Sequence, residues 1–242
     1  MQEITSTTNN LVKETVKLHQ KKYRIDNILI EGKKALDEAI DANLKIKYIF
    51  TTENKNYGNI ETYFVNEAVI KKVSTTESAP EVVAVVEKPK YDIEDFRKFK
   101  KIALLDNIKD AGNLGTIIRA SSAFGVDGIL LYGDTVDEFS PKTIRSSAGN
   151  MFKTPILKIS YEKLKSFKKT HKFLATVCHS KNYENKLNKH DNLIVMFGSE
   201  ANGLCEDVLK LKDEEITIKM TKNVESLNLA LSCGVILYEL QR

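Results

Sequence analysis

At 242 residues the chain can bury one large core or two small ones, since single domains commonly hold about 100 to 200 residues. Hydrophobic residues at 42% and charged residues at 29% exclude a disordered or low-complexity chain, and a formal charge of +4 is too small to diagnose a nucleic-acid partner by itself. The opening MQEITSTTNNLVKETV lacks a basic-then-apolar leader, and no apolar run reaches the roughly 20 residues of a membrane span, so a cytoplasmic protein is expected.

From Asn10 to Tyr23 the apolar residues Leu11, Val12, Val16 and Leu18 recur at helical spacing among Lys13, Lys17, Lys21 and Lys22. They predict a basic amphipathic helix started by Thr7, Thr8 or Asn9. NILIEG, residues 27–32, predicts a strand closed by Gly32, and KKALDEAIDAN a helix ending near Asn43. KYIFTT, TYFVN and EVVAVVEK add strands, which makes residues 1–90 a small mixed α/β domain. Pro80 and Pro89 bracket the last of these strands, and the charged KPKYDIEDFRKFKK that follows reads as a bridge, with residues 91–99 as a linker.

Residues 100–242 change pattern: KIALLDNI, a helix from Asn113 to Phe124, GILLYG, the SAGNMF region, KFLATVC, NLIVMFG and EITIKM precede a long apolar helix in SLNLALSCGVILYEL. Fully apolar strands alternating with helices predict a parallel sheet covered on both faces. Cys178, Cys205 and Cys233 are odd in number and widely spaced, and read as reduced core thiols. His19, His171, His179 and His190 lack ligand spacing, so metal-free chemistry is expected. Lys163, Lys165, Lys168, Lys169 and Lys172 form a second basic cluster, whose plainest reading is a solvated helix face.

Three segments carry candidate chemistry, each at the carboxyl end of an expected strand, where parallel sheets place ligands. In LLDNIKDAGNLGTIIRASSAFGVDGILL, Gly112 and Gly115 permit close backbone approach, while Asn113 starts a helix with Arg119 about two turns in. A capped helix with a surface arginine explains that segment equally well. Its spacing is neither a dinucleotide fingerprint nor a P-loop. In LIVMFGSEANGL, Gly198, Ser199, Glu200 and Asn202 follow a buried strand, though a capping carboxylate would also account for Glu200. In ITIKMTKNVESLNLALSCGVILYEL, Ser226 is the expected helix cap, and the Asn228 amide needs partners within an apolar helix.

In this order the segments resemble the three signature motifs of the SpoU (TrmH-like) family of RNA ribose 2'-O-methyltransferases, in the SPOUT superfamily. Asn113, Gly115 and Arg119 match the first motif. Gly198, Ser199, Glu200, Gly203 and Leu204 match the second, and Ile218, Met220, Ser226, Leu227 and Asn228 the third. SPKTIRSSAGNMFKTP also resembles the family's S-x-K-x-x-R-x-S-x-G segment, which adds Arg145. Where the family often has Asn-Pro, this chain has Asp110-Ala111. Residues 1–90 resemble the L30e-like RNA substrate-binding domain that precedes many family catalytic domains.

The resemblance implies a parallel-sheet α/β catalytic domain over residues 100–242 with a deep trefoil knot at its carboxyl end, and a homodimer packed through the knotted regions. It implies S-adenosyl-L-methionine held by backbone around Thr176, Val177, Gly198, Ile218, Met220 and Leu227. Arg119 is then the catalytic residue, with Asn113, Glu200, Ser226 and Asn228 beside it. Lys17, Lys21, Lys22, Arg24 and Arg145 become candidate RNA contacts. The expected substrate is a ribose 2'-hydroxyl in 23S rRNA. The alternatives are tRNA, base methylation, or a non-catalytic RNA-binding role in ribosome assembly.

Overall fold

Buried strands flanked by half-buried helices give the chain two units in a computed structural model that describes residues 2–178, 180, 190–221, 223–224 and 226–241. The first unit comprises Met1–Lys90 with Phe139–Phe152, and the second Tyr91–Glu138 with Lys153–Arg242.

A mixed five-stranded sheet organises the first unit, in the order β1 (Gln2–Ile4), β4 (Thr62–Val65), β3 (Ile46–Thr51), β5 (Val82–Glu87), β2 (Asn27–Glu31). β5 runs antiparallel to both its neighbours, and its Val82–Val86 run is buried throughout. Helices α1 (Asn10–Lys17) and α3 (Glu67–Val73) send Val12, Val69 and Val73 into the core built on Leu29, Phe50, Val83 and Val85. The helix expected over Asn10–Tyr23 is shorter than the apolar spacing suggested. It stops at Lys17, where the buried Arg24 guanidinium donates to the Leu18 carbonyl at 2.5 Å, and Lys21–Tyr23 form a separate 3-10 turn. Helix α2 (Lys33–Asp41) follows β2 as expected.

Phe139–Phe152, expected inside the second domain, groups with this first unit. Its helix α6 (Pro141–Ser146) is capped by Ser140 and packs on β2. Arg145 pairs there with the buried Glu31, whose carboxylate also accepts from Ser74 Oγ at 3.0 Å and Thr75 Oγ1 at 2.9 Å. SAGNMF, read among the strands, ends instead in a 3-10 turn at Asn150–Phe152, and the strand comes later as β8 (Ile156–Lys158).

The second unit holds an all-parallel six-stranded sheet in the order β11 (Glu214–Ile216), β9 (Lys172–Thr176), β10 (Leu193–Phe197), β6 (Lys101–Asp106), β7 (Gly128–Tyr132), β8. Insertion of β10 between β9 and β6 brings the carboxyl ends of those three strands side by side. The central strands are buried along their length, as continuous apolar runs require when both faces are covered. Helices α7 (Tyr161–Ser166) and α8 (Glu206–Leu209) follow β8 and β10, and α5 (Ala111–Ala123) and α9 (Leu229–Gln241) pack on one another.

Residues 91–99 are part of this unit and do not form a linker. Asp92 builds a capping box on helix α4 (Ile93–Phe96), and Phe96 is fully buried, edge-on to Phe99 at 5.0 Å between ring centroids. The many charges around those two rings hid a core-forming segment. Of the three cysteines only Cys233 is a core thiol, pushed well above its ordinary pKa by burial; Cys205 is half-buried and Cys178 exposed. His179 lies outside the described residues. Among the described residues, no cluster of His, Cys, Asp or Glu could hold a metal, and no helix is long and apolar enough to cross a membrane.

Candidate active site

Three loops meet beyond the carboxyl ends of β9, β10 and β11 and enclose a cavity of ≈ 570 Å³. The first is the end of β9 itself, where Thr176 and Val177 leave the sheet; Thr176 Oγ1 donates to the Met196 carbonyl at 2.8 Å, which fixes that strand end against β10. The second is the turn after β10. Ser199 and Gly203 exchange backbone hydrogen bonds at 3.0 and 2.9 Å, closing residues 199–203 into a tight loop. Gly198 is required there, because a Cβ on it would lie 2.0 Å from the Gly203 carbonyl carbon. The third loop follows β11 and supplies Ile218, Met220, Ser226, Leu227 and Asn228.

Every residue expected to hold a cofactor, Thr176, Val177, Gly198, Ile218, Met220 and Leu227, lines this one cavity, as do Glu200, Ser226 and Asn228. Its walls are otherwise largely apolar, with Phe197, Leu204, Leu209, Leu229 and Ile236. Among the described lining residues Glu200 is the carboxylate, and none is basic. Such a lining lacks the cationic side chains that commonly hold the phosphates of a phosphate-bearing cofactor. It does suit a flat, partly apolar ligand that carries a positive charge.

Asn113 reaches the cavity rim through a chain of amides. Asn228 Nδ2 donates to Asn113 Oδ1 at 3.2 Å, and Asn113 Nδ2 donates to the Glu200 carboxylate. Asn228 Oδ1 accepts from the backbone of Ala230 at 2.9 Å and Leu231 at 3.2 Å. The cap of α9 is therefore Asn228, not Ser226 as expected, and the facing loop supplies the partner its amide needed. Asp110, standing where the family pattern often has Asn, accepts from the Asn113 backbone at 2.8 Å and caps α5. Arg119 sits six residues beyond Asn113 on the same helix, about 9 Å along its axis. Its side chain is exposed and makes no hydrogen bond or ion pair with any described residue.

One residue escaped sequence reasoning. Asp106, fully buried at the end of β6, accepts from the Cys205 backbone at 2.6 Å and from Asn107 Nδ2 at 2.7 Å, and so ties the loop after β10 to the neighbouring strand. An acidic residue closing an apolar strand was the available signal.

The candidate RNA residues fall in the first unit. Lys21 and Lys22 are exposed; Lys17 is also exposed and pairs with Glu14 at 2.6 Å, and Lys22 lies over the Tyr23 ring at 4.9 Å. Arg24 is withdrawn into the Leu18 carbonyl contact, and Arg145 is held by Glu31.

Residues 100–238 match the family model described as the SpoU rRNA Methylase family, and residues 9–84 match the MRM3-like substrate binding domain. The chain is 34% identical to an uncharacterized tRNA/rRNA methyltransferase of Synechocystis sp., over 99% of this chain and 93% of the relative. It is 28% identical to the 23S rRNA (guanosine(2553)-2'-O)-methyltransferase of Bacillus subtilis, over 100% of each chain. An AdoMet-bound rRNA methyltransferase from Sinorhizobium meliloti superposes with a TM-score of 0.89 at 29% identity, covering 99% of this chain and 97% of that one.

Proposed function

We propose, from the premise that this chain belongs to the SpoU rRNA methylase family, that it methylates a ribose 2'-hydroxyl of 23S rRNA at the expense of S-adenosylmethionine. The observation that carries this reading is the cavity. The six residues that the resemblance implies for the cofactor stand on three loops around a largely apolar space whose carboxylate is Glu200 and whose described lining holds no cation. S-adenosylmethionine, bound there, supplies a methyl group already activated by its sulfonium charge. The chain's task is then to orient the hydroxyl, exclude water and manage one proton.

We assign Thr176, Val177, Gly198, Ile218, Met220 and Leu227 to holding the cofactor by backbone and apolar contact. The chain from Asn228 through Asn113 to Glu200 keeps the carboxylate fixed at the rim. Arg119 meets the RNA. An arginine keeps its proton at any accessible pH, so its role is to grip the phosphate beside the target ribose and stabilise the developing alkoxide. Lys17, Lys21 and Lys22 on the first unit contact the RNA backbone. The trefoil knot and a homodimer formed through α9 belong to the same proposal, as does a cytoplasmic site of action.

Labelled methyl transfer to total rRNA and total tRNA from cells lacking the gene, followed by nucleoside analysis, tests the reaction. A 2'-O-methylated nucleoside in 23S rRNA is expected; the same product in tRNA overturns the substrate, and a methylated base overturns the chemistry. For the arginine, Arg119→Ala and Arg119→Lys are both expected to abolish transfer while calorimetric binding of S-adenosylmethionine survives. Loss of both binding and transfer would move Arg119 to the cofactor site.

A further inference from the structure

The lysine cluster after β8 has no place in the site described so far, and the fold gives it company. Segments 94–100 and 161–172 hold eight lysines and arginines against Glu94, Asp95 and Glu162. They adjoin in space: Arg97 Nη2 donates to Ser166 Oγ at 3.2 Å and its guanidinium lies 5.5 Å over the Phe167 ring. The buried His171 donates through Nε2 to the Phe99 carbonyl at 2.8 Å. Around Lys168, Lys169 and Lys172 the surface is concave, with a cavity of ≈ 320 Å³ that also takes in Asn192 and the two carboxylates Asp191 and Asp213.

Charge on this face is only partly neutralised. Asp213 pairs with Lys168 at 2.6 Å and lies 3.9 Å from Lys172, and Glu94 pairs with Arg97 at 3.0 Å. Lys98, Lys100, Lys163, Lys165 and Lys169 are exposed and make no ion pair with any described residue. Exposed like charges on one face repel weakly through water, and a polyanion seated on them would turn that repulsion into attraction. Of the aromatic rings of the region, Phe96 and Phe167 are buried in the core and Phe99 and Tyr161 are half-buried against it, so the face offers chiefly point charges. That combination fits phosphates and not bases.

We propose that this basic face, at the amino-terminal edge of the parallel sheet, is a second RNA-backbone contact surface of the catalytic unit, on the opposite edge from the cofactor cavity. The proposal rests on the reading of the chain as an RNA methyltransferase. Lys172 opens β9 and Thr176 closes it, so the two edges are about 13 Å apart at ~3.3 Å per residue. That span exceeds the Debye length of about 8 Å at physiological salt. The lysines therefore act by contact with a distant part of the substrate and not by drawing charge into the cavity.

The test replaces Lys98, Lys100, Lys165 and Lys169 together by Gln, all exposed and outside the cofactor site, and measures binding of a short RNA duplex of arbitrary sequence across a salt series. The variant is expected to bind roughly tenfold more weakly, with a log–log salt slope smaller by about 3. Its KM for transcribed 23S rRNA should rise while kcat and S-adenosylmethionine affinity stay at wild-type values. An unchanged duplex affinity and slope would overturn the proposal and return the face to solvent. Failure of the wild-type protein to transfer methyl would instead strike the enzymatic reading, since duplex binding is measured without it.

Discussion

The amide of Asn228 divides its two ends between structure and site. Its oxygen caps α9 by accepting from Ala230 and Leu231, and its nitrogen holds Asn113, which in turn holds Glu200. Asn228→Asp separates the two functions. The carboxylate still accepts both backbone N–H groups and gains from the positive end of the helix, but it has no proton to give Asn113 Oδ1. Asn113 could satisfy it only by turning its own NH2 away from Glu200. Urea denaturation of Asn228→Asp is expected to lie within about 0.5 kcal/mol of wild type, while methyl transfer falls. Asn228→Ala should lose the cap as well, about 1 kcal/mol, together with activity. Wild-type turnover in Asn228→Asp would show that the amide chain does not matter to catalysis and that Asn228 is a cap alone.

Between elements, the corresponding tie is Asp106, which joins the end of β6 to the backbone of Cys205 and so holds the loop carrying Gly198 to Leu204 against the sheet. Asp106→Ala leaves the Cys205 N–H without its acceptor, a loss of roughly 1 to 3 kcal/mol. Thermal unfolding should shift down, and S-adenosylmethionine affinity should fall further than stability alone explains; unchanged affinity in the folded variant would confine Asp106 to the fold. Neither this tie nor the cap was legible in the sequence, because both depend on which strand ends become neighbours. The pairing of β6 with β10 joins residues about ninety positions apart, and no local pattern encodes it. What the sequence did carry were the local signals. Apolar runs marked β5, β6, β7, β9 and β10, and Gly198 marked the end of a buried strand. The short elements fell below those signals: β1 and β8 have three residues each, and α4 is a single turn whose one buried ring, Phe96, was outnumbered by charges. Ser226 looked like the better cap because hydroxyls at strand-to-helix junctions usually are, yet the helix begins after Asn228.

At the scale of the whole molecule, α9 is too apolar for its surroundings. Ala230, Cys233, Ile236 and Leu237 fill its buried side, yet Leu231 is 56% and Tyr238 48% exposed, seven residues apart and hence on one stripe. A helix apolar around its circumference belongs in an interior or an interface. In the proposed homodimer that stripe meets its own copy across a twofold axis, so each substitution acts twice. Burying a leucine side chain contributes about 1.5 to 3 kcal/mol; Leu231→Glu therefore removes that contribution from both sides and sets two carboxylates against each other in the interface. Light scattering after size-exclusion chromatography should report a dimer for the wild-type chain and a monomer for Leu231→Glu, with helical circular dichroism retained. If the two protomers complete each other's sites, the folded monomer should also lose methyl transfer, and adding a chain that carries only Arg119→Ala should restore part of it through mixed dimers. A Leu231→Glu protein that remains dimeric would place the interface elsewhere, and a monomeric one with full turnover would make each protomer's site self-sufficient.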